Sequence, residues 1–235
     1  MQIEVLLDSD SVAKRAAALI AGHARAAFAA RGRFSIAISG GCTPQAMLRM
    51  LGREEIPWGG VHVFQVHERI SSFGNRDCNL PNLREVLMEE STMDPAQVYA
   101  MPASSHDPDR DAAKYAHTLE KIAGTPPVLD LVHLGLFADG HTASLFLGDD
   151  VLHEARDVAV TALKDGRKRI TLTCSLINRS RNILWVVTGS DKTKTLFQLE
   201  SGEPSIPASV IRRDRALVLA DRAAAGAVCR TYTLS

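Results

Sequence analysis

No charge of one sign predominates in this sequence: Lys plus Arg and Asp plus Glu each number 27, so the net charge is zero. Proteins that bind nucleic acid usually carry a basic excess, and we therefore expect no nucleic-acid partner. No apolar run reaches the roughly 18 residues of a membrane-crossing helix. Met1 to Asp10 holds no basic segment followed by an apolar one. We expect no membrane partner and a soluble, cytoplasmic protein. Cysteine is sparse: Cys42, Cys78, Cys174 and Cys229 form no CxxC pair, which argues against a zinc or redox motif. A chain of 235 residues does not need disulfide staples, so free thiols in a reducing compartment are expected. The Gly-Lys-Ser/Thr of a Walker loop is absent, and so is the GxGxxG that would point to a dinucleotide. Repeats, low-complexity tracts and long linkers are absent too.

What remains is an ordinary globular composition, 46% hydrophobic and 23% charged, at a length that suits a single α/β domain over residues 1–235. Strand-like and helix-like segments alternate. Ile3 to Leu7 is a short apolar run, followed by the cap formers Asp8, Ser9 and Asp10. Val12, Ala16, Leu19, Ile20, Ala27 and Phe28 then recur at helical spacing until Gly32. Phe34 to Ser39 reads as a buried strand, and Pro44 opens the next helix. Further strands are expected over Val61 to Val66, Val98 to Met101, Leu129 to Leu136, Ile170 to Leu176, Ile183 to Thr188 and Ala216 to Ala220. Helices are expected over Leu80 to Glu90, Asp107 to Ala123 and Asp191 to Leu199. This alternation implies a Rossmann-like, mostly parallel sheet with helices on both faces.

Ligands in such sheets bind where strands end and helices begin. Three strand ends carry polar chemistry. Gly40-Gly41-Cys42-Thr43-Pro44 lets the backbone approach a ligand and aims helix N–H groups at it, as an anion site would; a plain tight turn reads the same way. After Leu136, Asp139-Gly140-His141-Thr142 brings a histidine that can take a proton from water, with Asp139 near enough to orient it. The alternative is a helix cap beside a turn. Thr188-Gly189-Ser190-Asp191-Lys192 puts Lys192 in the first turn of a helix, where the dipole disfavours a cation unless a phosphate is bound. Arg167, Lys168 and Arg169 add a basic run, which could equally be a solvated strand edge.

These residues together resemble the 6-phosphogluconolactonases, within the superfamily that includes glucosamine-6-phosphate deaminase. The resemblance runs from Ser39 to Ser209. Beside the strand ends it rests on Glu68-Arg69, Asn79, the full segment Asp139 to Phe146 (DGHTASLF), Arg169 to Thr173 and Pro207-Ala208-Ser209. It implies the Rossmann-like fold of the isomerase/deaminase superfamily. It also implies hydrolysis of 6-phosphoglucono-δ-lactone in the oxidative pentose phosphate pathway, with no metal and no cofactor, by a monomer or small homo-oligomer acting on a phosphorylated sugar lactone. By resemblance, His141 is the general base, supported by Asp139. Gly40, Gly41, Thr43 and Glu68 are substrate contacts, and Arg169 and Lys192 are phosphate partners. Arg69 meets phosphate or the developing oxyanion.

Four positions depart from the pattern. The family usually has Asp-Glu-Arg where this chain has His67-Glu68-Arg69, and a glycine-rich turn where it has Phe137-Ala138. Cys42 stands where Ser is usual, either as a small replacement or as a thiol at a helix N-terminus. Without an acid at position 67, isomerase or deaminase chemistry on an amino-sugar phosphate becomes the second reading. A non-catalytic sugar-phosphate binder is the third.

Overall fold

Apolar runs without alternation belong in the middle of a sheet covered on both faces. The computed structural model describes residues 1–40, 43–70, 79–104 and 106–226, with the side chains of residues 43 and 79–82 left aside. The chain opens with strand β1 (Gln2–Leu6), helix α1 (Ser9–Arg31), β2 (Phe34–Ile38), α2 (Thr43–Gly52), β3 (Val61–Gln65) and the short β4 (His67–Arg69). Next come α3 (Asn79–Glu90), β5 (Val98–Tyr99), α4 (Pro108–Ala123), β6 (Leu131–Gly135), β7 (Val158–Val160) and β8 (Arg169–Leu172). The last elements are α5 (Cys174–Arg179), β9 (Ile183–Val187), α6 (Thr193–Ser201), β10 (Ala216–Asp221) and α7 (Arg222–Ala225).

Seven strands form one parallel sheet in the order β1-β10-β9-β6-β2-β3-β5. Every residue of β2 and of β9 is buried, as continuous apolar strands require. One face packs Val12, Ile20, Met47 and Leu87 of the α1, α2 and α3 layer; the other packs Tyr115, Leu119, Leu176 and Leu199 of the α4, α5 and α6 layer. The α/β, Rossmann-like architecture expected from the alternation is therefore the one observed. Among the described residues no helix is long and apolar enough to cross a membrane.

The helix signals act as read. Asp8 caps α1 by accepting from the Ser11 N–H at 2.8 Å, and Gly32 ends it with a left-handed φ of 70°. Between them a face built largely of alanine (Ala13, Ala16, Ala17, Ala21, Ala24, Ala27) lets α1 lie close to the sheet. Asp107 caps α4, and Tyr115 and Leu119, one turn apart, are both buried.

Two expectations need correction. The apolar stretch from Ile170 is a strand only to Leu172: the Thr173 hydroxyl accepts from the Leu176 N–H and starts α5, so Cys174 to Leu176 are helical. Short apolar runs fit either element, and the cap decides. Nor does β8 join the parallel sheet. It pairs antiparallel with β4 and β7 in a separate three-stranded sheet, β4-β8-β7.

From β2 the chain moves outward to β3 and β5, then returns to β6 and proceeds the other way through β9 and β10. The reversal lies between β2 and β6, where the crevice of an open α/β sheet forms. The Ser39 N–H donates to the His133 carbonyl at 3.3 Å and closes the two strands at that point.

His133 itself is anomalous. It is fully buried in β6 on the face it shares with Leu131, and neither ring nitrogen has a hydrogen-bond partner among the described residues. Burial pushes its pKa down to about 4. The unfolded chain gains a proton near pH 6.5 that the folded one refuses, so this site removes stability as pH falls from about 6.5 towards about 4. His133→Leu should raise the melting temperature at pH 7, by relieving an unpaired N–H worth roughly 1–3 kcal/mol. It should also flatten the decline between pH 7 and pH 4.5. Thermal unfolding across that range checks it, and a variant with the wild-type pH slope would contradict it.

Candidate active site

The segment after β6 is shaped by one glycine. The Phe137 N–H donates to the His141 carbonyl at 3.0 Å, and the Gly140 N–H to the Phe137 carbonyl at 2.9 Å, closing a tight turn. Gly140 has φ 81°, and a Cβ there would lie 2.4 Å from Ile206 Cγ2. Its carbonyl accepts from the Ala208 N–H at 3.0 Å. Position 140 thus demands glycine both for its backbone and for its contact with residues 206–208. Beyond the turn, Thr142 Oγ1 donates to the Gly135 carbonyl at 2.8 Å, and Ala143 takes a left-handed φ of 53°.

The turn presents His141 with three neighbours. Its Nδ1 lies 2.5 Å from Asp139 Oδ1, and its own backbone N–H donates to the same oxygen at 3.2 Å. An ionised carboxylate only accepts, so Nδ1 carries the proton and Nε2 keeps its lone pair. The Phe137 ring stacks on the imidazole with centroids 4.0 Å apart and planes 10° from parallel. Phe146 lies 4.7 Å away at 45°. Burial lowers the His141 pKa below its ordinary value, opposed by Asp139 and assisted by the Arg169 and Lys164 cations.

The antiparallel sheet supplies the opposite wall. His67 and Thr171 are cross-strand partners of β4 and β8, and both reach Ser144. His67 Nδ1 is 2.9 Å from Ser144 Oγ, and the Ser144 N–H donates to Thr171 Oγ1 at 3.3 Å. Burial drives the His67 pKa to about 4, with the Ala143 carbonyl opposing, so its ring is neutral at physiological pH. Glu68 is buried; its carboxylate accepts from Gln65 Nε2 at 2.7 Å and from the Arg69 N–H at 2.9 Å. Arg69 and Arg169 are directly opposite each other in the ladder, and like charges so placed repel. Burial and the Arg69 charge together depress the pKa of Arg169, and Asp165, 3.8 Å away and largely exposed, offsets this only in part.

A cavity of ≈ 300 Å³ opens over these strand ends. Of the residues expected in the site, Gly40, Glu68, Arg69, Asp139, His141 and Arg169 line it. Gly41 lies outside the described residues, as does the side chain of Thr43, and so do Cys42, Cys78 and Cys229. Cys174 is buried and free, its thiol pushed up to about 11 by burial. Lys192 does not border the cavity. It sits in a 3-10 turn, Ser190–Lys192, that precedes α6 rather than in the helix's first turn, and it pairs with Asp191. Among the described residues no three His, Cys, Asp or Glu side chains gather as they would around a metal ion.

Sequence reasoning overlooked Ser144, Phe146, Lys164 and Asp165, which also line the cavity. The last two were recoverable. Asp165-Gly166, at φ 51° and 72°, forms the two-residue turn of a hairpin whose flanking Lys164 and Arg167 exchange backbone hydrogen bonds, and Asp-Gly between short strands signals that turn. Lys164 and Arg169 both lie over the Phe146 ring, at 5.6 and 5.1 Å from its centroid.

Known proteins resemble this chain in sequence and in fold. Residues 7–219 match the family model for glucosamine-6-phosphate isomerases/6-phosphogluconolactonase. A 6-phosphogluconolactonase of Synechocystis sp. is 34% identical over 224 residues, covering 92% of this chain and 93% of the relative. One from Mycobacterium tuberculosis is 35% identical over 239 residues, covering 95% and 96%. The solved 6-phosphogluconolactonase from Trypanosoma cruzi superposes with a TM-score of 0.86 at 23% identity, covering 97% of both chains. A monomeric glucosamine-6-phosphate deaminase superposes with a TM-score of 0.84 at 17% identity over 96% of this chain and 99% of that one, which speaks for the fold alone. The chain belongs to the glucosamine-6-phosphate isomerase/6-phosphogluconolactonase family.

Proposed function

We propose that the whole chain, residues 1–235, is one α/β domain that hydrolyses 6-phospho-D-glucono-1,5-lactone to 6-phospho-D-gluconate. The observation that carries this reading is the Asp139–His141 pair, 2.5 Å apart, in a cavity that Arg69 and Arg169 also line. Relatives over the full length carry the lactonase name.

His141 Nε2 removes a proton from water as the water oxygen bonds to C1. The tetrahedral oxyanion then collapses, the C1–ring-oxygen bond breaks, and the proton passes from His141 to the departing ring oxygen. Asp139 fixes the tautomer and steadies the imidazolium. Arg69 stabilises the oxyanion or the phosphate, and Arg169 holds the phosphate, relieving the repulsion between the two guanidiniums. Gly40, at the end of β2, lines the anion site; the family resemblance adds Gly41 and Thr43, next along the chain, and Lys192, which follows β9 outside the cavity. Glu68, its carboxylate already engaged, shapes the substrate wall.

The protein acts as a monomer or small homo-oligomer in the cytoplasm, without nucleic acid, metal or cofactor. The free buried thiol of Cys174 and the balanced charge are in keeping with this. Amino-sugar-phosphate isomerisation is the weaker reading, because a neutral His67 offers neither a fixed negative charge nor a strong base where the deaminases place an acid.

Four outcomes are expected. Freshly generated lactone should be opened faster than its spontaneous hydrolysis, while glucosamine 6-phosphate should release no ammonia; the reverse pattern would decide for the deaminase. His141→Ala should lower kcat by roughly 10²–10⁴-fold. The wild-type rate should hold through neutrality and fall on acidification with a midpoint below 6.5, since His141 must be neutral and its pKa is depressed. Arg169→Gln should raise KM by roughly tenfold or more, the worth of a charged hydrogen bond, with a smaller change in kcat. An unchanged KM would take Arg169 out of the phosphate site.

A further inference from the structure

Phe137 is hard to explain as packing. It is 39% exposed at the surface of a turn, and its ring lies flat against His141 at 4.0 Å. The His141 side chain keeps only 16% of its surface exposed, whereas that of its partner Asp139 keeps 58%. The base is thus covered and the carboxylate wet. Asp139 grips the imidazole at one point, Nδ1, and a single hydrogen bond leaves the ring free to swing about that contact. A parallel ring on one face, with Phe146 against the ring at 45°, removes that freedom.

We propose that Phe137 is a positioning residue for the reaction: it fixes the plane in which His141 Nε2 meets water and closes one face of the imidazole to bulk solvent. The proposal rests on the reading of His141 as the base. The charged and titratable groups around His141 come from every side: Asp139 in its own turn, His67 in β4, Arg169 in β8 and Lys164 in the hairpin. None of these changes when Phe137 is replaced. What changes is the access of water and the freedom of the ring, and less burial lets His141 hold its proton more readily.

The test compares Phe137→Leu, which keeps bulk without a flat face, Phe137→Ala and Phe137→Tyr in the full-length protein. Leu and Ala should lower kcat roughly three- to thirty-fold with KM little changed, and Ala should move the acid limb of the rate profile to higher pH. Tyr should restore both. A nitrogen-15 NMR titration of the imidazoles, with the His141 signal identified by its loss in His141→Ala, should show the same upward move in Phe137→Ala. Wild-type kcat with an unmoved titration would overturn the proposal. So would a lower KM with higher kcat, which would make Phe137 an obstruction. If His141→Ala keeps full turnover, the base reading fails instead, and the NMR titration still decides whether Phe137 governs the imidazole.

Discussion

The turn after β6 depends on a contact that tolerates no side chain. Gly140 brings its backbone against Ile206 and hands its carbonyl to Ala208, more than sixty residues on, at a φ that other residues adopt only with strain. This contact sets the direction in which the chain leaves the turn. It therefore sets where His141 stands relative to Asp139, and where Phe137 stands relative to both. It also joins Pro207-Ala208-Ser209 to the DGHTASLF segment in space, although no residue from 207 to 209 lines the cavity. Those residues are the surface against which the turn is set.

The second constraint is electrostatic. A chain with no net charge concentrates Arg69, Arg169 and Lys164 around one cavity, two of them directly opposite in an antiparallel ladder. The cost of that arrangement is tempered locally. Asp165 stands 3.8 Å from Arg169, and Phe146 receives both Arg169 and Lys164 over its ring. Asp165 is largely exposed, so salt and water screen it, and a ligand phosphate can take its place at little expense. Because Phe146 also touches His141, the cations proposed to hold the anion are mechanically joined to the group assigned to the chemistry.

Long apolar periodic segments were legible in the sequence. The strands of the seven-stranded sheet, the cap of α1 and the polar strand ends at Gly40 and His141 all follow from burial and capping, which act locally. The antiparallel sheet was not legible, because β4 and β7 have three residues each, too few for a period to show. The strand beginning at Arg169 was seen but run too far, since Thr173 looks like a strand residue until its hydroxyl caps α5. Lys192 was placed in the first turn of a helix starting at Asp191, whereas it ends the 3-10 turn just before α6, because a 3-10 turn and a helix share their signals. The meeting of His67, Ser144 and Thr171 depends on three distant segments converging, and no spacing along the chain encodes it.

Three histidines show how the surroundings separate roles that residue type alone does not. His67, His133 and His141 all sit where burial disfavours the imidazolium. His133 has no hydrogen-bond partner among the described residues, and burial keeps it neutral. His67 meets a hydroxyl and a carbonyl, groups that orient a neutral ring without stabilising a charged one strongly, and its pKa remains at about 4. His141 has a carboxylate against Nδ1, and the carboxylate opposes the burial while fixing the tautomer. A general base must be neutral at rest and still accept a proton during turnover, and that combination requires burial and a counter-charge together. His141 has both.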